Sequence, residues 1–155
     1  MLAQIQEELG SVPGLRANFL IVGHGSEEAW LRCKLPRAEF TGVLKGEKLA
    51  AAYANMDVFI FPSHTDTFGN VVLEALASGV PAVVTPDGGP ASIVRDDVTG
   101  QVARDAEFAP KIASILIDPA KHQEMRKVAR KSALTATWDA VFEGVYSRYM
   151  SLRRR

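Results

Sequence analysis

The sequence has too few cysteines and too few long apolar runs for several classes of protein. Cys33 is the single cysteine among 155 residues, which excludes a disulfide framework or a cysteine-based metal site within this sequence and favours a reducing compartment. We expect its side chain to be buried or half-buried. No apolar run approaches ~18 residues and no signal-peptide pattern is present, so the sequence predicts a cytoplasmic protein.

Charge of either sign is not in excess. The 18 Lys and Arg residues balance the 18 Asp and Glu residues, so the net charge does not favour a nucleic-acid partner. Residues 121–131 carry five Lys or Arg against one Glu, and the chain ends with Arg153, Arg154 and Arg155. We interpret these as a solvated helix face and a frayed terminus. The alternative is weak peripheral attachment to an anionic membrane surface.

Short β-type runs alternate with helical stretches, which is typical of a parallel sheet with crossover helices. The sequence therefore predicts a single domain, 1–155, with an α/β, Rossmann-like doubly wound parallel sheet. Val58–Phe61 is apolar at every position and is expected to be buried on both faces. The predicted strands are Phe19–Val22, Glu39–Thr41, Val58–Phe61, Val80–Thr85 and Gln101–Ala103, and the predicted helices are Met1–Leu9, Glu27–Leu35, Gly46–Asn55, Asn70–Ala77 and most of the chain from Phe108 onwards.

Glycine-rich or polar turns follow three of the predicted strands, at Gly23–Gly25, Ser63–Gly69 and Asp87–Gly89. The carboxyl ends of parallel strands meet at one edge of the sheet, where ligands bind in doubly wound folds. Glycine also serves plain strand-to-helix turns, so at this point both interpretations stay open.

The turn at Phe68, Gly69 and Asn70 has the chemistry of a phosphate site. Free backbone N–H groups and the positive end of the following helix suit a phosphate, and glycine permits close approach of a ligand. Carboxylates would repel a phosphate, so Asp66 and Glu74 are better suited to hydroxyl groups. Together these features describe a nucleotide sugar. The alternative is that Asp66 or Thr67 only caps the helix and that Glu74 lies on its surface.

The segment 59–81, FIFPSHTDTFGNVVLEALASGVP, places seven residues between Asp66 and Glu74. It resembles the donor-site signature of the retaining GT-B glycosyltransferases of family 4, in which an acid and a glutamate have this spacing around a Phe-Gly pair. Asp66 stands where Glu is commoner in that family. The resemblance spans essentially the whole chain, through Val22–Gly25, Phe40–Gly42, Tyr53–Asp57, Gly88–Pro90, Val98–Gly100 and Trp138–Tyr149.

The resemblance implies a substrate and a set of roles. The substrate would be a sugar linked to UDP or GDP, used with retention of anomeric configuration and without a metal or other cofactor. Glu74 would hold the ribose hydroxyls, and Asp66 would contact hydroxyls of the transferred sugar. The remaining implied contacts are the amides of Phe68, Gly69 and Asn70 with the sugar and diphosphate, the Thr41-Gly42 turn beside the base, and the Gly23 and Gly25 turn.

The resemblance covers the C-terminal half of the GT-B fold only. It implies an N-terminal half that binds the acceptor, a lipid or a glycan, and a first strand whose loop bears an Arg and a Lys that clamp the diphosphate. Residues 49–94 contain no Lys or Arg, so we expect the chain alone to be a weak or inactive enzyme. The alternative is a truncated or inactive nucleotide-binding or assembly module without catalysis.

The first strand of that fold would lie between the Phe19 and Val58 strands. We therefore expect either that these two strands pair directly or that an exposed strand edge recruits a second copy of the chain. His64 is the nearest potential cation to the predicted site, and we expect it to be simply solvated.

Overall fold

The structure, a computed structural model, describes residues 1–153. Within them short strands alternate with helices in the predicted order. The strands are β1 (Leu20–Val22), β2 (Glu39–Gly42), β3 (Phe59–Phe61), β4 (Ala82–Val84) and β5 (Gly100–Val102). The helices are α1 (Leu2–Gly10), α2 (Glu28–Lys34), α3 (Gly46–Ala54), α4 (Asn70–Ala77), α5 (Pro90–Ile93), α6 (Phe108–Leu116), α7 (Pro119–Leu134) and α8 (Trp138–Leu152), with a 3-10 turn at Asp105–Glu107.

The strands form two separate parallel sheets. One consists of β1 and β2, with Ile21 opposite Phe40. The other has the order β3-β4-β5, with Val83 of the central strand opposite Ile60 on one side and Gln101 on the other. Helices flank both sheets, so the predicted α/β, Rossmann-like fold is confirmed. The predicted single sheet is wrong in one respect, because β1 and β3 do not pair.

A cleft separates the two sheets. Residues of β1 and of β3 both line it, together with apolar side chains of α1 and α6, and its volume is about 1040 Å³. Of the two expected arrangements, direct pairing of the Phe19 and Val58 strands is therefore excluded, and an exposed strand edge that recruits a second copy stays a prediction. The same cleft explains why β3 is only half-buried, contrary to prediction, whereas β4, which has a partner strand on each edge, is fully buried.

The central strand β4 divides the core into two layers because successive side chains of a strand point to opposite faces. Val83 packs with Ile5 of α1 and Ile112 of α6. Val84 packs instead with Val72 of α4 and Ala129 of α7. The helices on both faces are thus anchored by neighbouring residues of one strand.

The basic face of α7 is partly a structural contact. The Arg126 guanidinium donates to the Met56 carbonyl at 2.8 Å, and that of Arg130 donates to the Ala77 carbonyl at 2.7 Å. The expected solvated face is therefore wrong for Arg126, which is half-buried, whereas Arg130 is exposed and also makes a structural contact. Arg130 places its charge at the C-terminal end of α4, where a cation interacts favourably with the helix dipole. The predicted frayed terminus at Arg154 and Arg155 lies outside the described residues.

Two surface features complete the fold. Cys33 is exposed, contrary to expectation.

Helix α8 leaves a row of apolar side chains at helical spacing exposed, among them Trp138, Phe142, Val145 and Tyr149. No helix within residues 1–153 combines the length and the apolar character needed to cross a bilayer.

Candidate functional site

The predicted site lies where parallel strands of each sheet end. The loop 62–69 follows β3, residues 85–89 follow β4, and the 3-10 turn follows β5. Gly23 and Gly42 occupy the corresponding end of the other sheet, because β1 and β2 are also parallel. Most of the predicted site residues therefore lie at the carboxyl edge of the three-stranded sheet.

Glu74 is held by a residue of another helix. It lies in the second turn of α4, and its Oε2 accepts a hydrogen bond of 3.1 Å from the hydroxyl of Tyr53 on α3. Tyr53 is almost fully buried, with its ring edge-on to Phe59 at 5.7 Å between centroids. Burial, followed by the Glu74 carboxylate, raises the pKa of Tyr53 to about 12. The phenol therefore stays protonated and keeps donating.

The sequence interpretation did not include Tyr53 in the site, because its position fits the apolar face of α3. The tyrosine hydroxyl is the sequence signal that could have indicated its role. A tyrosine on the buried face of a helix needs a hydrogen-bond partner for its O–H group, because buried polar groups are nearly always hydrogen-bonded.

Asp66 stabilises the loop that precedes α4. Its Oδ1 accepts a hydrogen bond of 2.9 Å from the Phe68 amide. The alternative that Asp66 or Thr67 caps the helix is wrong: the N-cap of α4 is Gly69, no side chain caps it, and the Asp66 carboxylate bonds to the loop instead. Within residues 1–153 the carboxylate makes no other hydrogen bond, so Oδ2 can still accept from a hydroxyl.

The N-terminus of α4 keeps free amides. The Gly69 carbonyl accepts from Val72 at 2.9 Å, but the N–H groups of Asn70 and Val71 have no acceptor in the part of the chain that the structure describes. Gly69 is buried with φ of 90°, and a Cβ there would lie 2.9 Å from Pro90 Cγ. Glycine is required here for backbone conformation and for the close approach of Pro90.

The loops after β3 and β4 interlock. The Gly89 amide donates to the Asp66 carbonyl at 3.1 Å. A side chain at Gly88 would collide with the same carbonyl, and one at Gly89 would collide with the backbone of Thr67 and Phe68. The position of Asp66 therefore depends on the glycines of the neighbouring loop.

His64 connects three loops rather than lying free in solvent, so the expectation of simple solvation is wrong. Its Nδ1 lies 2.9 Å from Asp87 Oδ2, and its Nε2 lies 3.0 Å from Asp105 Oδ1. The hydrogen bond with Asp87, followed by the charge of Asp105, raises the pKa of His64 above its ordinary value. Neither partner could be identified from the sequence, because both lie on other loops.

The glycine turns of the smaller sheet meet each other. The Gly23 amide donates to the Gly42 carbonyl at 2.8 Å. The Thr41 hydroxyl lies between two carbonyls, 3.0 Å from that of Gly42 and 3.4 Å from that of Ile21. Gly25 precedes α2, and its carbonyl accepts from the Glu28 amide at 3.1 Å.

The predicted site residues divide into those that line the cleft and those that lie outside it. Gly23 and Glu74 line the cleft, together with Tyr53, which the sequence did not predict. The other predicted site residues lie outside the cleft, on the loops and at the strand ends: Thr41, Gly42, Gly25, Asp66, Phe68, Gly69 and Asn70. Within residues 1–153 no group of three or more His, Cys, Asp or Glu side chains has the geometry of a metal site.

The chain is similar to known proteins in sequence. Residues 1–118 match the family model described as Glycosyl transferases group 1, and the chain belongs to that family. It is 34% identical over 155 residues to a GDP-mannose-dependent alpha-mannosyltransferase of Mycobacterium tuberculosis, covering 97% of this chain and 41% of that relative. The chain therefore spans less than half of that curated relative's length.

Solved structures show the fold. Sucrose-phosphate synthase from Thermosynechococcus elongatus superimposes with a TM-score of 0.78 at 25% identity, over 99% of this chain and 42% of that one. The C-terminal domain of a glycosyl transferase group 1 family protein from Francisella tularensis superimposes with a TM-score of 0.69 at 19% identity, over 86% of this chain and 75% of that one. The fold is that of a GT-B C-terminal domain.

Proposed function

We propose that the chain is the sugar-donor-binding domain of a retaining, family 4 glycosyltransferase, which transfers a sugar from a nucleotide-diphosphate sugar to an acceptor. The observation that carries the proposal is the position of Glu74 relative to the N-terminus of α4. Tyr53 holds its carboxylate one turn from amides that have no acceptor among the described residues, and Asp66 lies on the other side of Gly69.

Each role follows from the chemistry of these groups. Of the amides expected at the diphosphate, that of Phe68 is already occupied by Asp66 at 2.9 Å, which argues against its expected role. The amides of Gly69, Asn70 and Val71, at the positive end of α4, have no acceptor among the described residues and suit the diphosphate. Glu74 is an acceptor-only group that matches two vicinal hydroxyls of a ribose. Asp66 would use Oδ2 for a hydroxyl of the transferred sugar. The turns at Gly23, Gly25, Thr41 and Gly42 would lie beside the base and present backbone groups to it.

We propose a sugar linked to GDP or UDP as the substrate, with GDP-mannose as the first candidate because of the relative named above. No metal or other cofactor enters this proposal. The acceptor would be a lipid or a glycan, bound by an N-terminal half of the enzyme. We also propose a cytoplasmic location and a weak association with a membrane surface; the exposed apolar row of α8 beside Arg148 supports the association.

Full activity would need a cation beside the diphosphate that the donor-site segment itself does not supply. Departure of a nucleoside diphosphate develops negative charge, and an arginine acting on phosphoryl charge contributes up to ~10⁵ in rate. The side chains of the proposed site are mainly carboxylates, and residues 49–94 contain no Lys or Arg. We therefore propose weak or no turnover by this domain alone. The same observation favours the second candidate function, a nucleotide-binding or assembly module without catalysis.

Calorimetry tests the site. GDP-mannose and UDP-glucose are titrated into the chain and into its Glu74→Gln variant, with Glu143→Gln as a control because Glu143 is an exposed glutamate on the distant helix α8. We expect one donor to bind and Glu74→Gln to weaken that binding at least tenfold, while the control binds normally. Equal binding by Glu74→Gln would contradict the site, and transfer to an acceptor sugar or lipid by the chain alone would contradict the module without catalysis.

A further inference from the structure

One imidazole joins the loops that follow three adjacent strands. His64 follows β3, Asp87 follows β4, and Asp105 opens the 3-10 turn after β5. The contacts span 23 residues to Asp87 and 41 residues to Asp105 along the chain, as their numbers show. They are the only side-chain ion pairs within residues 1–153 that tie the loop after β3 to its two neighbours.

We propose that His64 in its protonated form is a positioning residue for the nucleotide site: it clamps these three loops, neutralises Asp87 and Asp105 beside the proposed diphosphate position, and makes donor binding weaken as His64 loses its proton. This rests on the proposed function.

The donors and acceptors of the His64 imidazole favour its protonated form. A neutral imidazole has one N–H and one lone pair, so only one of its nitrogens can donate. Both nitrogens of His64 face carboxylate oxygens, which only accept, at 2.9 Å and 3.0 Å. Nδ1 is hydrogen-bonded to Asp87, and Nε2 lies at ion-pair distance from Asp105, so a neutral imidazole would turn a lone pair towards one carboxylate and the imidazolium is the form that suits both contacts. Both carboxylates raise the pKa of His64, Asp87 more than Asp105.

Backbone hydrogen bonds connect the His64–Asp87 contact to the proposed site. Asp87 directly precedes Gly88 and Gly89, and the Gly89 amide bonds the Asp66 carbonyl at 3.1 Å. A second tie runs between the same loops, since the Thr85 hydroxyl donates to the Ser63 carbonyl. Opening the His64–Asp87 contact would therefore loosen the loop against which Asp66 and the helix end are held.

The charged surroundings give the clamp an electrostatic effect as well. Asp87 and Asp105 face the imidazole from the neighbouring loops, and Asp66 lies two residues away on its own loop. In the 3-10 turn, Glu107 is occupied by the Arg104 amide at 2.9 Å. When His64 is neutral, the charges of Asp87 and Asp105 lose the cation that compensates them, and both carboxylates then disfavour an anionic diphosphate at this edge of the sheet.

The first experiment measures the clamp without nucleotide. The chain has three histidines, so proton NMR can follow the imidazole resonances from pH 5 to pH 9, with His64 assigned by its loss in His64→Gln. We expect His64 to titrate above 6.5 and to shift down in Asp87→Asn and, less, in Asp105→Asn. Glu28→Gln is the matched control, because Glu28 contacts His24 at 2.7 Å and not His64. Titration of His64 at or below 6.5 overturns the proposal.

The second experiment measures GDP-mannose affinity over the same pH range; the phosphates of a nucleotide sugar do not titrate there, unlike those of free GDP. We expect the wild-type affinity to fall several-fold as His64 deprotonates. His64→Gln should bind weakly at every pH, and His64→Lys should bind well at every pH. The same fall with pH in His64→Gln as in the wild type overturns this proposal alone. Absence of GDP-mannose and UDP-glucose binding in the wild type overturns the proposed function, and this linkage with it, even where the NMR titration behaves as expected.

Discussion

The hydroxyl of Tyr53 donates to the carboxylate of Glu74 across 3.1 Å, and this bond joins two helices that begin 24 residues apart. Tyr53 is buried and Glu74 is exposed, so the bond connects the core to the surface where a ligand would bind. It converts a flexible surface side chain into one with a fixed orientation, which is what recognition of two vicinal hydroxyls requires.

Tyr53→Phe should therefore lower donor affinity without unfolding the domain. The ring would keep its contact with Phe59, while Glu74 would lose a hydrogen bond to a charged group, worth about 1.5–3 kcal/mol. We expect a loss of at least fivefold in the affinity for a nucleotide sugar, measured by calorimetry. Tyr146→Phe is the control, because Tyr146 is exposed on α8. An unchanged affinity in Tyr53→Phe would show that Glu74 needs no support.

Gly69→Ala should destabilise the fold through both the backbone and packing. Its φ of 90° disfavours an L residue, and a Cβ would lie 2.9 Å from Pro90 Cγ. We expect a loss of about 1–3 kcal/mol in the free energy of unfolding, measured with urea. Gly144→Ala in α8 is the matched control: nothing lies within 4 Å of a Cβ there, so it should be neutral or stabilising. Equal stability of the two variants would contradict the contact with Pro90.

The stability contributed by His64 should depend on pH with a definite sign. Its pKa is raised in the folded chain, so the folded state holds the proton more tightly than the unfolded state. The contribution is fully present below the ordinary value of 6.5 and is lost as pH rises through the raised value. The unfolding free energies of the wild type and His64→Gln should therefore differ most at pH 5.5 and converge at alkaline pH, as measured by urea unfolding. A difference that grows with pH would reverse the sign and contradict the ion pairs.

Arg130→Ala should lower stability because the guanidinium binds the Ala77 carbonyl at the end of α4 at 2.7 Å. A hydrogen bond of this kind combined with the helix dipole is worth about 1 kcal/mol. Lys127→Ala is the control, since Lys127 reaches only Glu124, at 3.9 Å, within its own helix. Thermal unfolding should separate the two variants by a few degrees, and identical midpoints would show that the bond contributes nothing.

The unpaired edges of β1 and β3 should make the chain self-associate when it is studied alone. Exposed strand edges are templates for pairing with another chain, and the cleft between them is lined largely by apolar residues. We expect sedimentation velocity to show concentration-dependent dimers. Ile21→Lys, which places a charge on β1, should reduce the fraction of dimer. Val141→Lys is the control, because it replaces an exposed apolar side chain by a charge on α8, away from the strand edges. A monomer at every concentration would contradict this expectation.

Local signals carried most of what the sequence could predict. The sequence predicts Asn70–Ala77 with the bounds that the structure gives, because a glycine turn precedes it and Ser78-Gly79 ends it. The burial of β3 is not predictable in the same way, because a run of apolar residues does not show whether a neighbouring strand covers its edge. The partners of Tyr53 and His64 were missed for a related reason: each is more than 20 residues away, so only the folded chain brings them together.

The contact between Gly69 and Pro90 also has an evolutionary consequence. A larger residue at position 69 has no room while Pro90 keeps its place, and Gly88 and Gly89 are held small by the backbone of Asp66 to Phe68. A substitution at these glycines in the loop before α4 or in the loop after β4 would therefore require a compensating change in the other loop. Among descendants of this sequence, the two loops should change as a pair or stay as they are.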